Sequence, residues 1–405
     1  MKKLHYSWIV CLAAMLAMLC NMGLCSNILA VYLPFIEETG ITGSQGSAMI
    51  SIRCIASFIC TFLVSLYYKK ISLRAGLTAA TVIGAIGAAV CAIGGSVYVY
   101  YAGVIILGIA YGFGTMVPIS LLVANWFNED KATAVSICSM GSGFASILFG
   151  PVITANTIAH GLRSTFLLHA AFCLVCAAVI YILVRSTPEE MNLTKLGAEA
   201  EQKDGEKAGT EEFEVPNVIW AEMLLMLLLL GGAGQAASGH VSIVAKTAGY
   251  SAGMAGMIAS LFGAALIGGK LLFGVIADRT GTKRATVAFM TVFMAGCLST
   301  LLLNTKSAVA GIMFALILGI GCPFFTIGVP LWAGELTQTR DYEKTVRWFQ
   351  IMYSGGGIIF TAIPGRIADA TGEYISSYMM LLVMTAVSMA LLLSFYRKRK
   401  NQYRR

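Results

Sequence analysis

The sequence predicts an all-α membrane protein of twelve transmembrane helices, laid out as two six-helix repeats. Three observations carry that fold class. The 405-residue chain is 58% hydrophobic and 12% charged, with a mean hydropathy of +0.78, where soluble domains carry about 25% charge. Apolar runs of about 20 residues recur along almost its whole length, each enough to cross a hydrocarbon core of about 30 Å. One long polar stretch, 186–216, separates six of these runs from the other six.

The predicted spans are 6–33, 45–68, 74–96, 98–124, 132–157, 163–185, 217–244, 251–277, 284–304, 307–333, 343–367 and 375–396. Each must be a helix, because backbone polar groups in lipid have to be satisfied within the segment. The first begins near Tyr6 without a small-residue cleavage pattern, so it is expected to stay as a membrane helix. Residues 186–216 carry Glu199, Glu201, Asp204, Glu206, Glu211, Glu212 and Glu214 and no apolar periodicity. They are expected to form a flexible cytoplasmic linker between bundles 1–185 and 217–405.

Charge sets the expected orientation. Of the 28 Lys and Arg, 22 fall on the side that carries both termini and the linker. Arg163, Lys246, Lys306 and Arg366 fall on the other side, and Arg53 and Lys270 lie inside spans. By the positive-inside rule both termini are cytoplasmic, in a multi-pass protein of the cell membrane. The net charge of +8 sits at span ends and is no nucleic-acid signal. Eleven cysteines lie within spans without metal-ligand spacing, and Cys173 and Cys176 form a CxxC on an apolar helix. Small packing residues are the expectation there, with no metal or cofactor.

The halves repeat weakly. LGIA at 107–110 aligns with LGIG at 318–321, and Gly141-Ser142-Gly143 with Gly355-Gly356-Gly357; Pro151 and Pro364 follow at similar spacing. Parallel six-helix repeats of this kind hold a substrate near the midplane between the halves.

The segment Gly274-Val-Ile-Ala-Asp278-Arg279-Thr-Gly281-Thr-Lys283-Arg284 joins two spans through a tight basic loop. It resembles the GxxxDRxGxK/R motif of the major facilitator superfamily. Three further segments resemble the monocarboxylate transporters and the oxalate:formate antiporter group: His5-Tyr6-Ser7-Trp8-Ile9-Val10, Asn125-Trp126-Phe127, and Asp369-Ala-Thr-Gly372-Glu-Tyr374. The resemblance implies alternating access, and a basic residue in span eight that contacts a substrate carboxylate. Lys270, four residues before Gly274, occupies that position. Lysine there replaces the usual arginine, a point charge in place of a bidentate grip. The second cation that oxalate carriers keep in span eleven is absent from Gly355–Gly357, and Leu266 stands where proton-coupled members keep an acid.

Lys270 is read as a substrate or gating contact, or as a lysine snorkelling to the cytoplasm. Arg53, near the middle of span two, is a site residue or snorkels outward. The two cations stand at different depths, like two rungs of an anion path. No Asp or Glu falls mid-span. Asn21, Asn27, Gln235, Tyr111 and Tyr353, with Tyr32, are candidate cavity residues or interhelical hydrogen-bonding groups. His240, and less so His169, could titrate or simply pack. The Gly-rich stretches Gly231–Gly239 and Gly355–Gly357 allow close packing or a helix irregularity at a gate. The resemblance implies that the motif loop latches the halves on the cytoplasmic side, where Arg279 has Glu129 and Asp130 available, and Lys69 and Lys70 have Asp341 and Glu343, with Asp278, Gly274, Gly281 and Lys283 completing the gating set. Plain topology is the other reading of those charges.

The sequence therefore predicts a secondary transporter, functional as a monomer in the lipid bilayer. Its expected substrate is a small organic anion, a mono- or dicarboxylate, moved by exchange or facilitated diffusion. An exporter of amphipathic compounds, suited by 20 Met and 20 Phe, and a non-transporting membrane sensor or scaffold are the alternatives. No nucleophile–base set or metal cluster suggests an enzyme.

Overall fold

A computed structural model describes residues 5–198, 215–337, 341–360, 363–371 and 374–402. The described residues are nearly all helical and contain no β-strand. Among the described residues, ten helices are long and apolar enough to cross a membrane. One of them, Lys131–Leu183, holds two of the predicted spans. It bends at Gly161, whose φ of +80° and ψ of 167° lie outside the helical region. Predicted span eleven falls on Tyr342–Phe360 and Ile363–Thr371, and residues 361 and 362 between them lie outside the described residues.

Local chemistry explains the short connections. Thr42 and Gln45 form a capping box at the start of span two, which satisfies two orphan backbone donors at once. Ser72 caps span three and Ser251 caps span eight, each accepting from an N–H three residues on at 3.3 Å. Gly281 turns span eight into span nine with φ +90°, a conformation that costs glycine little and L side chains much.

The chain divides into two compact units, Met1–Gly209 and Thr210–Arg405. Within the first, span one packs on five, two on four, three on four, and three on six. Within the second, the same pairs recur as seven on eleven, eight on ten, nine on ten, and nine on twelve. The weak sequence repeat thus becomes a repeat of helix pairing, with each half packed around small buried residues such as Ala14, Ala17, Ala80 and Ala110, or Ala233, Ala236, Ala237 and Ala315.

The expected flexible linker begins as ordered chain. Pro188–Met191 forms a 3-10 turn, and Leu196 pairs with Phe127 in an isolated parallel bridge. The N–H of Asn128 donates to the Leu196 carbonyl at 2.8 Å, and the Leu196 N–H donates to the Trp126 carbonyl at 3.0 Å. The order here has a local cause: the backbone of the span four–five turn offers an edge, and residues 186–198 satisfy it. Residues 199–214, which carry most of the acidic run, lie outside the described residues.

Candidate functional site

The two intramembrane cations sit on corresponding helices, and packing fixes their relative register. In half one, a Cβ placed on Gly108 of span four would stand 2.6 Å from the Arg53 carbonyl oxygen, 2.8 Å from Ala56 Cβ and 3.3 Å from the Ser57 nitrogen. In half two, a Cβ on Gly319 of span ten would stand 2.6 Å from the Phe262 oxygen, 2.7 Å from Ala265 Cβ and 3.2 Å from the Leu266 nitrogen. The crossings superimpose residue for residue, so Arg53 corresponds to Phe262. Lys270 lies two turns further along its helix, about 12 Å at helical rise. Its counterpart in half one is Thr61, which donates to the Ser57 carbonyl. Within their own halves, the two cations therefore occupy different registers of corresponding helices.

Arg53 is 8% exposed. Its Nη1 is buried without a hydrogen-bond partner, and Nη2 donates only to Cys54 Sγ at 2.9 Å. The guanidinium carbon stands 5.2 Å from the centre of the Tyr111 ring, a cation–π contact that offsets part of its desolvation. No carboxylate among the described residues pairs with it. A guanidinium keeps its proton, so an orphan Nη1 in this setting is a donor in want of an acceptor. Lys270 is 3% exposed, with Cys322 of the broken span ten beside it, and it has a partner. Neither cation snorkels into solvent. Arg53 and Lys270 are the only buried charged side chains among the described residues, and none of the buried polar groups is an Asp or Glu.

Span one departs from the regular helix where its polar residues lie. Leu19–Asn27 is π-helical, as the Ile28 N–H to Gly23 carbonyl bond at 3.1 Å, five residues back, illustrates. Span five carries a second π segment, Ala145–Phe149. The two segments touch, for a Cβ on Gly23 would stand 2.1 Å from Ala145 Cβ. Asn21 is fully buried and donates from Nδ2 to Thr81 Oγ1 at 3.1 Å, while its Oδ1 has no partner. Asn27 is exposed and donates to the Ser142 carbonyl at 3.2 Å. Wide π turns of this kind concentrate at functional sites, and nothing in the sequence pattern marks them.

The Gly-rich stretches of half two behave differently. Both lie in regular helix, and a Cβ on Gly231 or Gly356 would stand 1.8 Å from the Tyr353 or Leu228 carbonyl oxygen. Of the two readings open for these glycines, close packing is the one present, and the irregularity lies in half one. Gln235 is exposed on span seven, with Gly357 against its side chain. His240 Nδ1 donates to the Ala236 carbonyl, 2.8 Å away, and its ring lies 5.6 Å from that of Tyr374. Tyr353 is buried and partnered. His169, 3% exposed, stacks near Tyr32 at 6.2 Å, and both its ring nitrogens and the Tyr32 hydroxyl are unpartnered.

The gating candidates are surface groups of their own halves. Asp278, Arg279, Lys283, Glu129, Asp130, Lys69 and Lys70 are all exposed, whereas Gly274 is buried. Glu129 packs its side chain against Gly197 of the ordered linker segment. Two motif segments of half one meet. Ser7 Oγ donates to the Trp126 carbonyl at 3.1 Å, and the rings of Tyr6 and Trp126 approach to 5.7 Å and those of Trp8 and Phe127 to 5.1 Å. Trp126 Nε1 then donates to Arg185 O at 2.8 Å, and Asn125 Nδ2 to Ser186 O at 3.0 Å. These segments tie the ends of spans one, four and six together, a structural role. Of the third segment, the Asp369 side chain and residues 372 and 373 lie outside the description.

Among solved structures, the chain resembles FucP in the outward conformation, with a TM-score of 0.72 and 16% identity over 96% of this chain and 98% of that one. A variant of the E. coli fucose:proton symporter FucP gives 0.70 at 16% identity, over 96% and 98%. The proton:xylose symporter XylE bound to 6-bromo-6-deoxy-D-glucose gives 0.73 at 15%, over 96% of both chains. At such identities the likeness establishes the fold. No curated protein matches. The family model described as Major Facilitator Superfamily matches residues 10–361 and 240–405. The chain belongs to the major facilitator superfamily, and is a multi-pass membrane transporter of the secondary class and not an enzyme.

Proposed function

We propose that this transporter moves a small organic anion, a mono- or dicarboxylate, across the cell membrane by alternating access, through exchange or facilitated diffusion, with both termini cytoplasmic. One observation carries the reading. The buried charged side chains among the described residues are two cations, Arg53 and Lys270, and Arg53 Nη1 is buried without a hydrogen-bond partner. A cation in the membrane core costs about 2.5–3.5 kcal/mol on insertion scales, and a bound anion offsets that cost. The family resemblance at Lys270 supports the same chemistry. Asn21, Asn27, Tyr111, Gln235, His240 and Tyr353 are assigned to the substrate path. Asp278, Arg279, Lys283, Glu129, Asp130, Lys69 and Lys70 are assigned to gating.

The solved relatives are symporters of sugars with protons, and that chemistry is the competitor. Sugar–proton coupling draws on a membrane-embedded acid, and the described residues offer no buried one. Flux into proteoliposomes decides between them, using mono- and dicarboxylates with and without internal counter-substrate, alongside sugars with an imposed proton gradient. Carboxylate flux accelerated by counter-substrate and lost in Arg53→Ala and Lys270→Ala is the expected result. Proton-driven sugar uptake, or carboxylate flux that survives both substitutions, would overturn the reading.

A further inference from the structure

The last helix, Ile375–Gln402, leaves the apolar zone with Arg397, Lys398, Arg399 and Lys400, and the sequence adds Arg404 and Arg405. Two acids of the same half hold this basic end in place. Glu222 of span seven accepts from Lys398 Nζ at 2.5 Å and from Ser394 Oγ at 3.4 Å. Glu335 of span ten accepts from the Tyr396 hydroxyl and has Arg399 Nη1 4.0 Å away. Span nine packs alongside span twelve, and Lys283 Nζ sits 5.3 Å from the centre of the Tyr396 ring. The first turn of span nine is thereby placed beside the basic end of span twelve.

The two acids compensate Lys398 and Arg399. Arg279, Lys283, Arg284 and Arg397 remain exposed on the neighbouring helix ends, with Asp278 as the only acid in the same motif loop. We propose that the basic surface formed by these helix ends binds the phosphate headgroups of anionic phospholipids at the membrane edge. Its position at the border of two spans fits a lipid better than a soluble anion, because a headgroup is delivered there at the depth of the exposed cations. Basic clusters immediately beyond a transmembrane helix gain affinity for anionic leaflets with each Lys or Arg.

Native mass spectrometry of the full chain from nanodiscs of equal phosphatidylglycerol and phosphatidylcholine tests this. The wild type is expected to retain phosphatidylglycerol preferentially. The triple variant Lys283→Gln, Arg284→Gln, Arg397→Gln should lose that preference, by roughly fivefold per removed charge. A triple of equal charge loss on the opposite helix ends, Lys246→Gln, Lys306→Gln, Arg366→Gln, should keep it. Glu222→Gln with Glu335→Gln should increase it, since two further cations are released. A charge-preserving set, Lys283→Arg, Arg284→Lys, Arg397→Lys, should match the wild type and excludes misfolding as the cause. Raising ionic strength to 1 M, where the screening length is about 3 Å, should weaken the preference in the wild type itself. Equal retention in wild type and first triple, equal loss in both triples, or displacement by millimolar inorganic phosphate would overturn the proposal.

Discussion

The crossing of spans one and five in half one and that of spans seven and eleven in half two begin alike and end differently. A Cβ on Gly141 would stand 2.0 Å from the Met15 oxygen and 2.9 Å from the Leu19 nitrogen; one on Gly356 would stand 1.8 Å from the Leu228 oxygen and 3.1 Å from the Gly232 nitrogen. By packing, then, Gly141 matches Gly356, one residue away from the match that sequence alignment suggests. Beyond this point the halves diverge. In half one the helix widens into a π turn and buries Asn21 against Gly114. At the matching place in half two, Gly234 faces Phe325. A large polar group on span one against a small residue on span four has become a small residue on span seven against a ring on span ten. The volume is conserved and the chemistry is not, which is how close-packed interiors tolerate change. Half one therefore concentrates orphan polar atoms, Asn21 Oδ1 and Arg53 Nη1 among them, while half two is sealed by glycine and aromatic contacts.

That contrast can be broken in order of effect. Gly356→Leu drives a side chain into the Leu228 carbonyl and is expected to cost about 3 kcal/mol, the upper end for overpacking. Thermal unfolding in detergent, followed by tryptophan fluorescence, should show the lowest midpoint of the series. Arg53→Met removes a buried cation with an orphan donor, so the same assay should show it more stable than wild type, by about 1–3 kcal/mol, while carboxylate flux falls at least tenfold. A destabilised Arg53→Met would mean that the guanidinium is structural. Tyr111→Leu removes the ring beside Arg53 and should cost about 0.5–1 kcal/mol; Tyr111→Phe keeps the ring and should behave as wild type.

Hydropathy and charge were enough to place the spans, because lipid forces long apolar helices and leaves little freedom at that level. Lys270 and Arg53 stand out for the same reason, as charges inside long apolar runs. The π segments were not readable. Leu19–Asn27 and Ala145–Phe149 touch each other, and no residue spacing in either segment announces the shift in hydrogen bonding. Nor did the glycines reveal which half would be irregular, since glycine serves both tight crossing and helix distortion. The hydrogen bonds of Leu196 are not legible in the sequence, because their partner, the Trp126–Asn128 backbone, is distant in the chain. The acids at the span ends, Glu222 and Glu335, gave no sign that they would secure the C-terminal helix.

Equilibrium binding of a transported carboxylate to purified protein tests the central proposal most directly, that two buried cations recognise an anion. Arg53→Gln and Lys270→Gln should each weaken Kd at least tenfold, and Lys306→Gln on the opposite helix ends should leave it unchanged. Wild-type affinity in both Arg53→Gln and Lys270→Gln would contradict the account.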